Sequence, residues 1–426
     1  MTQPAYGFRL ICLVMTAGLC AGSAFAETRM TVDSAVRRAL EHNAELRAAR
    51  TTIAAAEART LKSGRLANPE LDAELAAGKD TEGKVTVGIT QRFPLTSRLT
   101  LERRVSAFEV EMAQCEVRVR EQELARSVRE AAIELAALRA AIDLSKARMR
   151  AAAEFAKSLK RGAAEGIGDA FDASKAELES DALQVSVDEI VAEEVVAAGK
   201  VSELLNLPAA TSIALIDGLA LPASLPTSRK LGDRADVKLA ALSVAVGGAE
   251  VALSKASRLE DVGVGVFVEG ERFSDEPEGI EPEALIGVRF SVPLPLWQNG
   301  KGLVQEQEAL LAGREVQSTA LRLQAQRQID TAYRVMKTRF ASARMIETRL
   351  LPKSRDQVVT AEAAVARGEA TPATLFETQE KLADLESTAL TVRKLYHLAH
   401  AEWLAAVGES FPATQSSQIL QSPQRP

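Results

Sequence analysis

The chain is poor in aromatic residues: 12 Phe, 3 Tyr and 2 Trp make up 4% of 426 residues. A single compact core of that length would draw much of its buried area from such rings, which argues against one large globule. Cysteine and histidine are nearly absent, with Cys12, Cys20, Cys115, His42, His397 and His400 as the whole supply. Catalytic signatures are missing too, since neither Gly-x-Ser-x-Gly nor His-Glu-x-x-His occurs. Gly300-Lys301-Gly302 lacks the Ser or Thr that a phosphate loop needs after its Lys, and Gly263-Val264-Gly265 sits inside a strand pattern. The reading is therefore of a non-enzyme without a cofactor. Basic clusters are lacking and the net charge is −6, which leaves nucleic acid out as a partner. Beyond residue 26 no run of about 18 uninterrupted apolar residues occurs, so no membrane-spanning helix is expected. What is present is Ala, Leu and Val, which carry most of a 46% apolar fraction and suit long, thin helical packing.

Residues 1–26 read as a secretory leader: Arg9, an apolar run from Leu10, then Ala24-Phe25-Ala26 as a cleavage site before Glu27. Leu19 stands where a lipidation signal ahead of Cys20 would need a small residue. Cleavage removes Cys12 and Cys20, and Cys115 alone cannot form an intrachain disulfide.

The remainder reads as a tandem duplication. His42–Ala49 aligns with Asp233–Ala240, Gly88-x5-Pro94-Leu95 with Gly287-x5-Pro293-Leu294, and Glu203-Leu204-Leu205 with Glu402-Trp403-Leu404. Arg161-Gly162 ahead of Phe171 pairs with Arg367-Gly368 ahead of Phe376. Repeat one spans 27–206, with a helix over 31–63, a β-hairpin over 69–94 and a long helical hairpin over 97–206. A Pro-bearing linker, 207–230, leads to repeat two at 231–408, with a helix, a β-hairpin over 261–294 and a helical hairpin over 302–408. A Ser-, Gln- and Pro-rich tail, 409–426, reads as disordered.

Period-2 alternation marks the strands. Leu71, Ala73, Leu75 and Ala77 alternate with Glu70, Asp72 and Glu74, and Val85, Val87, Ile89 and Phe93 with Thr86, Thr90 and Arg92. Val262 to Val268 and Ala284 to Val292 repeat the pattern around an acidic loop holding Glu271, Asp275, Glu276, Glu278 and Glu281. Alternation alone fits a sheet with one face on a core and one in water. The leader, and the placement of Phe93, Phe267, Phe273, Phe290 and Trp297 in or beside the hairpins, move the reading to a membrane barrel with an aromatic girdle. Four strands cannot close a barrel, so several chains must share one.

From Ser97 to Lys160 there is neither proline nor glycine, and apolar residues recur at helical spacing. A return helix is expected over about 170–206. The second arm, from Gly302 to about Ala366, contains Pro352 and should kink there; its return covers about 373–408. Proline to Arg-Gly is seven residues longer in repeat two, which would equal one coiled-coil heptad.

Two copies of helix, β-hairpin and long helical hairpin behind a leader resemble the TolC family of outer-membrane efflux channels. Asn68-Pro69-Glu70-Leu71 and Pro293-Leu294-Pro295-Leu296-Trp297-Gln298-Asn299-Gly300-Lys301-Gly302 look most like its cobalt–zinc–cadmium, heavy-metal type. The resemblance implies a mainly α fold with a small β part: a homotrimeric α-barrel whose chains each add four strands to a shared 12-stranded transmembrane β-barrel. It implies the outer membrane of a Gram-negative bacterium, a periplasmic adaptor and a proton-driven inner-membrane pump as partners. It also implies that the hairpin tips, with Arg161, Gly162 and Asp169 in repeat one and Arg367, Gly368, Glu369, Thr374 and Glu377 in repeat two, form the periplasmic aperture and adaptor contact. Thr374 departs from the acidic Asp169 of repeat one, although Glu369 and Glu377 could supply an acidic ring.

The function implied is a passive exit duct, with Glu70, Asp72 and Glu74 ringing a water-filled lumen and favouring cations such as heavy metals. A polar lumen wall without selectivity accounts for the same carboxylates equally well. A duct for drugs, organic compounds or a secreted protein is the alternative within the family, and a soluble periplasmic coiled-coil adaptor the alternative outside it. His397-x-x-His400 places two imidazoles on one helix face, half of a possible metal site without an evident third ligand; packing on the last helix is the simpler account.

Overall fold

The computed structural model describes residues 28–408 except 78–82, 167–169, 209–210, 212, 216–217, 227–231, 276–278, 295–296 and 298. The leader with Ala26 and Glu27, the tip residue Asp169 and the tail 409–426 lie outside the described residues.

A short strand β1 (Thr28–Met30) leads into α1 (Val32–His42) and α2 (Ala44–Thr60). Thr31 opens α1 with a reciprocal capping box with Ser34. The single helix expected over 31–63 is two, because Asn43 leaves the helical region at ψ 130° and caps α2 instead. Its Oδ1 accepts from the Leu46 N–H at 3.0 Å while its Nδ2 donates to the Leu204 carbonyl at 3.2 Å. That side chain competes with the backbone ladder, and wins because both of its ends are satisfied.

The hairpin β2 (Glu70–Ala77) and β3 (Gly83–Phe93) follows, then α3 (Arg98–Ala164), α4 (Ala170–Leu204) and the short strand β4 (Ile213–Leu215). At ~1.5 Å per residue, the 67 residues of α3 extend about 100 Å. The second half contains α5 (Ala235–Ala256), β5 (Val262–Asp275), β6 (Gly279–Ser291) and α6 (Lys301–Met345). A π-helical turn at Ile346–Leu350 joins α6 to α7 (Leu351–Ala366), and α8 (Pro372–Val407) returns. The acidic loop of the second hairpin is shorter than its composition indicates. β5 runs on to Asp275 and β6 starts at Gly279, so Glu271 and Asp275 stand in strand, and Glu281 and Glu283 face Phe273 and Glu271 across the ladder.

Packing is sparse and local, as long helices with Ala seams require. One apolar cluster joins α1, α2, α3, α4 and β4 around Val36, Leu40, Leu46, Val128, Leu135, Val201 and Ile213. A second joins α6 and α8 around Ile329, Met336, Tyr396 and Trp403, and a third lies at the π turn with Ile346, Leu351 and Ala389. α5 has the length and apolar composition to cross a membrane. It packs instead against α3 and α6, where its Glu250 pairs with Arg314 at 2.7 Å. Beside the first cluster β1 and β4 form a two-stranded parallel sheet, and Arg139 of α3 donates to the Ile213 carbonyl while pairing with Glu194 of α4.

Candidate functional site

The strands form one antiparallel sheet in the order β2-β3-β5-β6. The two hairpins meet through β3 and β5, with Val87 opposite Val268, so the chain presents two open edges, β2 and β6. Pro282 stands in edge strand β6, where a missing donor is tolerated.

One face is uncovered and apolar except for Gln91 and, at the hairpin end, Arg272. Leu71 is 72% exposed, Leu75 79%, Ile286 80% and Phe290 70%, and Val85, Val87, Ile89, Val266, Val268 and Val288 stand with them. A patch of this extent on a single-chain soluble protein would be an aggregation hazard. Phe93 stands at the end of β3 on this face, 43% exposed, and Trp297 is 91% exposed in the connection beyond β6. The side chain of Phe273 lies outside the described residues.

The opposite face is polar and internally bonded. Arg92 pairs with Glu70 at 3.1 Å, and Thr90 donates to Asp72 at 2.6 Å with Arg289 4.0 Å from the same carboxylate. Lys84 pairs with Glu269 at 2.7 Å, which Thr86 also contacts. Glu70 and Asp72 are thus engaged within the chain, because bases on neighbouring strands stand on the same face within reach. Phe267, unlike Phe93 and Phe290, belongs to this polar side. Its ring lies over Gly287 of β6, where an added Cβ would come within 2.4 Å of it; a Cβ at Gly88 of β3 would come within 2.9 Å of the Phe267 Cβ, and the Arg289 guanidinium sits 5.3 Å above the ring. Gly287 thus makes room for the ring, and Gly88 for the strand that carries it.

Below this wall the polar ladder continues into the helices, where Arg98 holds both Asp261 at 2.5 Å and Glu102 at 2.6 Å. At the far end, α3 of repeat one meets α8 of repeat two. Phe155 stacks on Phe376 at 4.2 Å, and Arg148 bonds Asp384 at 2.9 Å and Glu380. Residues more than two hundred positions apart make this contact, and no short motif signals it.

The tips differ from the motif alignment. Gly162 lies inside the last turns of α3, and the residue that ends the helix in the left-handed region is Gly166, φ +77°. Its counterpart is Gly368, φ +75°, after the C-cap Arg367. Arg161 is helical and exposed. Glu369 is paired with Arg367 at 2.8 Å, Thr374 donates its N–H to the α8 cap Thr371 at 3.2 Å, and Glu377 is exposed on α8. With the caps as reference, the seven-residue difference dissolves. The first arm has 67 helical residues, and the second runs from Lys301 to Ala366. Much of the extra length lies in the longer connection between Ser291 and Lys301.

His397 and His400 face the linker, not the sheet or the tip. With Asp33, Arg129 and the backbone of Gly218–Ala220 they line a cavity of about 240 Å³. Among the described residues no group of three or more His, Cys, Asp or Glu could hold a metal.

An amphipathic four-strand wall with open edges is carried on a long bundle of paired helical hairpins. Residues 35–187, from α1 to the middle of α4, match the family model described as outer membrane efflux protein. The Campylobacter jejuni CmeC outer membrane channel has the same fold, with TM-score 0.73 at 13% identity over 98% of this chain and 97% of that one. The outer membrane protein VceC from Vibrio cholerae gives 0.69 at 16% identity over 89% and 97%. CusC, described through the conformational changes accompanying folding and transmembrane channel formation, gives 0.71 at 12% over 89% and 92%. A search of curated protein sequences returns no match. The fold is thus that of outer-membrane channel proteins, and the efflux family's signature lies on the first repeat.

Proposed function

We propose that the chain is the outer-membrane exit duct of a tripartite efflux pump, assembled as a homotrimer. The observation that carries this is the sheet: an exposed apolar face flanked by two edges whose backbone groups a single chain leaves unpaired. In lipid each such group costs several kcal/mol, so edges must pair between copies and close a barrel. Three copies supply enough strands for closure. The helices, about 100 Å long, then carry the lumen across the periplasm, and passage is passive once the tips part. Arg161, Gly162, Asp169, Arg367, Gly368, Glu369, Thr374 and Glu377 mark the ends offered to a periplasmic adaptor, itself bound to a proton-driven inner-membrane pump.

Heavy-metal cations are the cargo that the segments Asn68–Leu71 and Pro293–Gly302 favour. Organic compounds are the second reading, favoured by the paired state of Glu70 and Asp72, which weakens the pull of the wall on cations. Deleting the gene and scoring growth on zinc, cobalt and cadmium against a dye panel separates them. Lost metal tolerance with unchanged dye tolerance supports the first, and the reverse pattern removes it. Recovery of the chain in the soluble periplasmic fraction would end the duct reading altogether.

A further inference from the structure

The two histidines of α8 are placed where the duct function does not use them. His397 turns toward the segment that joins the repeats and bonds the backbone of Leu219 and Ala220, while its Nε2 is buried without a hydrogen-bond partner. His400, one turn on, stacks between Tyr396 (6.2 Å) and Trp403 (5.8 Å). Both line the 240 Å³ cavity that Gly218–Ala220 closes, and the same segment continues into Leu221 and Leu225, which pack on the Tyr396–Trp403 cluster. α3 contributes the buried guanidinium of Arg129, α1 contributes Asp33, and α8 adds Arg393 nearby. Asp33 is the one carboxylate among these groups; its side chain is 83% exposed and stands 3.9 Å from Arg129.

We propose that His397 and His400 form a proton-operated latch. With both imidazoles neutral, Gly218–Leu225 lies closed across α3 and α8; with both protonated, it is released. The geometry gives the reason. Neutral His397 needs only the linker carbonyls, whereas its cation needs an acceptor at Nε2 that the cavity does not offer. A charged His400 adds to a charged His397 in one small cavity, where Asp33 is the carboxylate that faces them among the described residues. Burial lowers both imidazoles below their ordinary value, with His397 and Arg129 adding to the effect on His400 and Asp33 opposing it. The released segment leaves its histidines near the ordinary value of about 6.5. The latch is therefore fully closed above that pH, and loses stability as pH falls through it toward the lowered values.

The chain carries two tryptophans, so Trp297→Phe leaves Trp403, stacked on His400, as a sole reporter. In the full-length chain in lipid nanodiscs, Trp403 emission should be quenched on acidification with a midpoint below about 6.5. Across the same transition, amide-exchange protection of residues 213–225, normalised to the intrinsic rate, should fall about tenfold or more. His397→Gln/His400→Gln should abolish both changes. Quenching without loss of protection would show histidines that titrate but hold nothing, and would overturn the latch. No quenching down to about pH 4.5, or a protection change that persists in the double variant, would overturn it too. Should that variant fail to assemble, the single-tryptophan chain decides alone: midpoints of quenching and of exchange that disagree reject the proposal.

Discussion

In the first repeat one unbroken helix, α3, runs from the sheet to the tip, while in the second the same path is covered by α6, a π turn and α7. The cores differ in kind as well. The first is aliphatic, built on Val128, Leu135, Val201 and Ile213, whereas the second is anchored by Tyr396, Trp403 and Met336. The two halves thus reach nearly equal arm lengths by different means. In a thin-walled helical bundle, overall length is held closely, and the local solution is free to vary.

The largest effect should come from the cores. Tyr396 is 1% exposed beneath Phe340, and Tyr396→Ala should cost about 4 kcal/mol, because a ring-sized void opens in a cluster with few neighbours to collapse into it. Leu135→Ala, in the larger aliphatic cluster, should cost about 3 kcal/mol. Thermal unfolding followed by helical circular dichroism gives the order. If Leu135→Ala proves the more damaging, the aromatic anchor is not what holds repeat two together.

A smaller difference should separate the arms. Pro352 cannot donate to the carbonyl of Thr348, and the π turn at 346–350 sits where that missing bond is absorbed. Counted back from the capping glycines, the matching position of α3 is Arg150, exposed in unbroken helix. Arg150→Pro should therefore cost about 3 kcal/mol, and Pro352→Ala should shift stability by about 1 kcal/mol or less. Equal and large effects at both positions would mean that the π turn absorbs nothing.

Much of this was legible in residue pattern. Alternation at Leu71–Ala77, Val85–Phe93 and Val262–Val268 places three strands and their faces, because burial on one side of a sheet imposes period 2. The Gly- and Pro-free run after Ser97 places α3. Features made by side chains meeting across the fold were not legible. Asn43 reads as an ordinary helical residue until Leu204 is seen beside it. The packing of Phe267 over Gly287 and under Arg289, on the polar side, depends on cross-strand register that no local pattern gives. The continuation of β5 through Glu271 and Arg272 was hidden because charged residues in strand look like loop when their partners on β6 are unknown.

The smallest predicted effect bears on the tips, where the two repeats look most alike in sequence and are not equivalent. Gly368 has φ +75°, a conformation in which a Cβ is strained, so Gly368→Ala should destabilise by about 1 kcal/mol. Gly162 is helical, and a Cβ there meets nothing within 4 Å, so Gly162→Ala should stabilise by about 0.5–1 kcal/mol. Gly166, φ +77° with open space around it, should respond like Gly368. The three substitutions add the same methyl group, and hydrogen exchange at the two tips resolves their local effects. Opposite signs at Gly162 and Gly368 would make Gly166 the true counterpart. Equal signs would restore the Arg-Gly pair as the equivalent turn and shift the register of the duplication by four residues, one helical turn, at the tip.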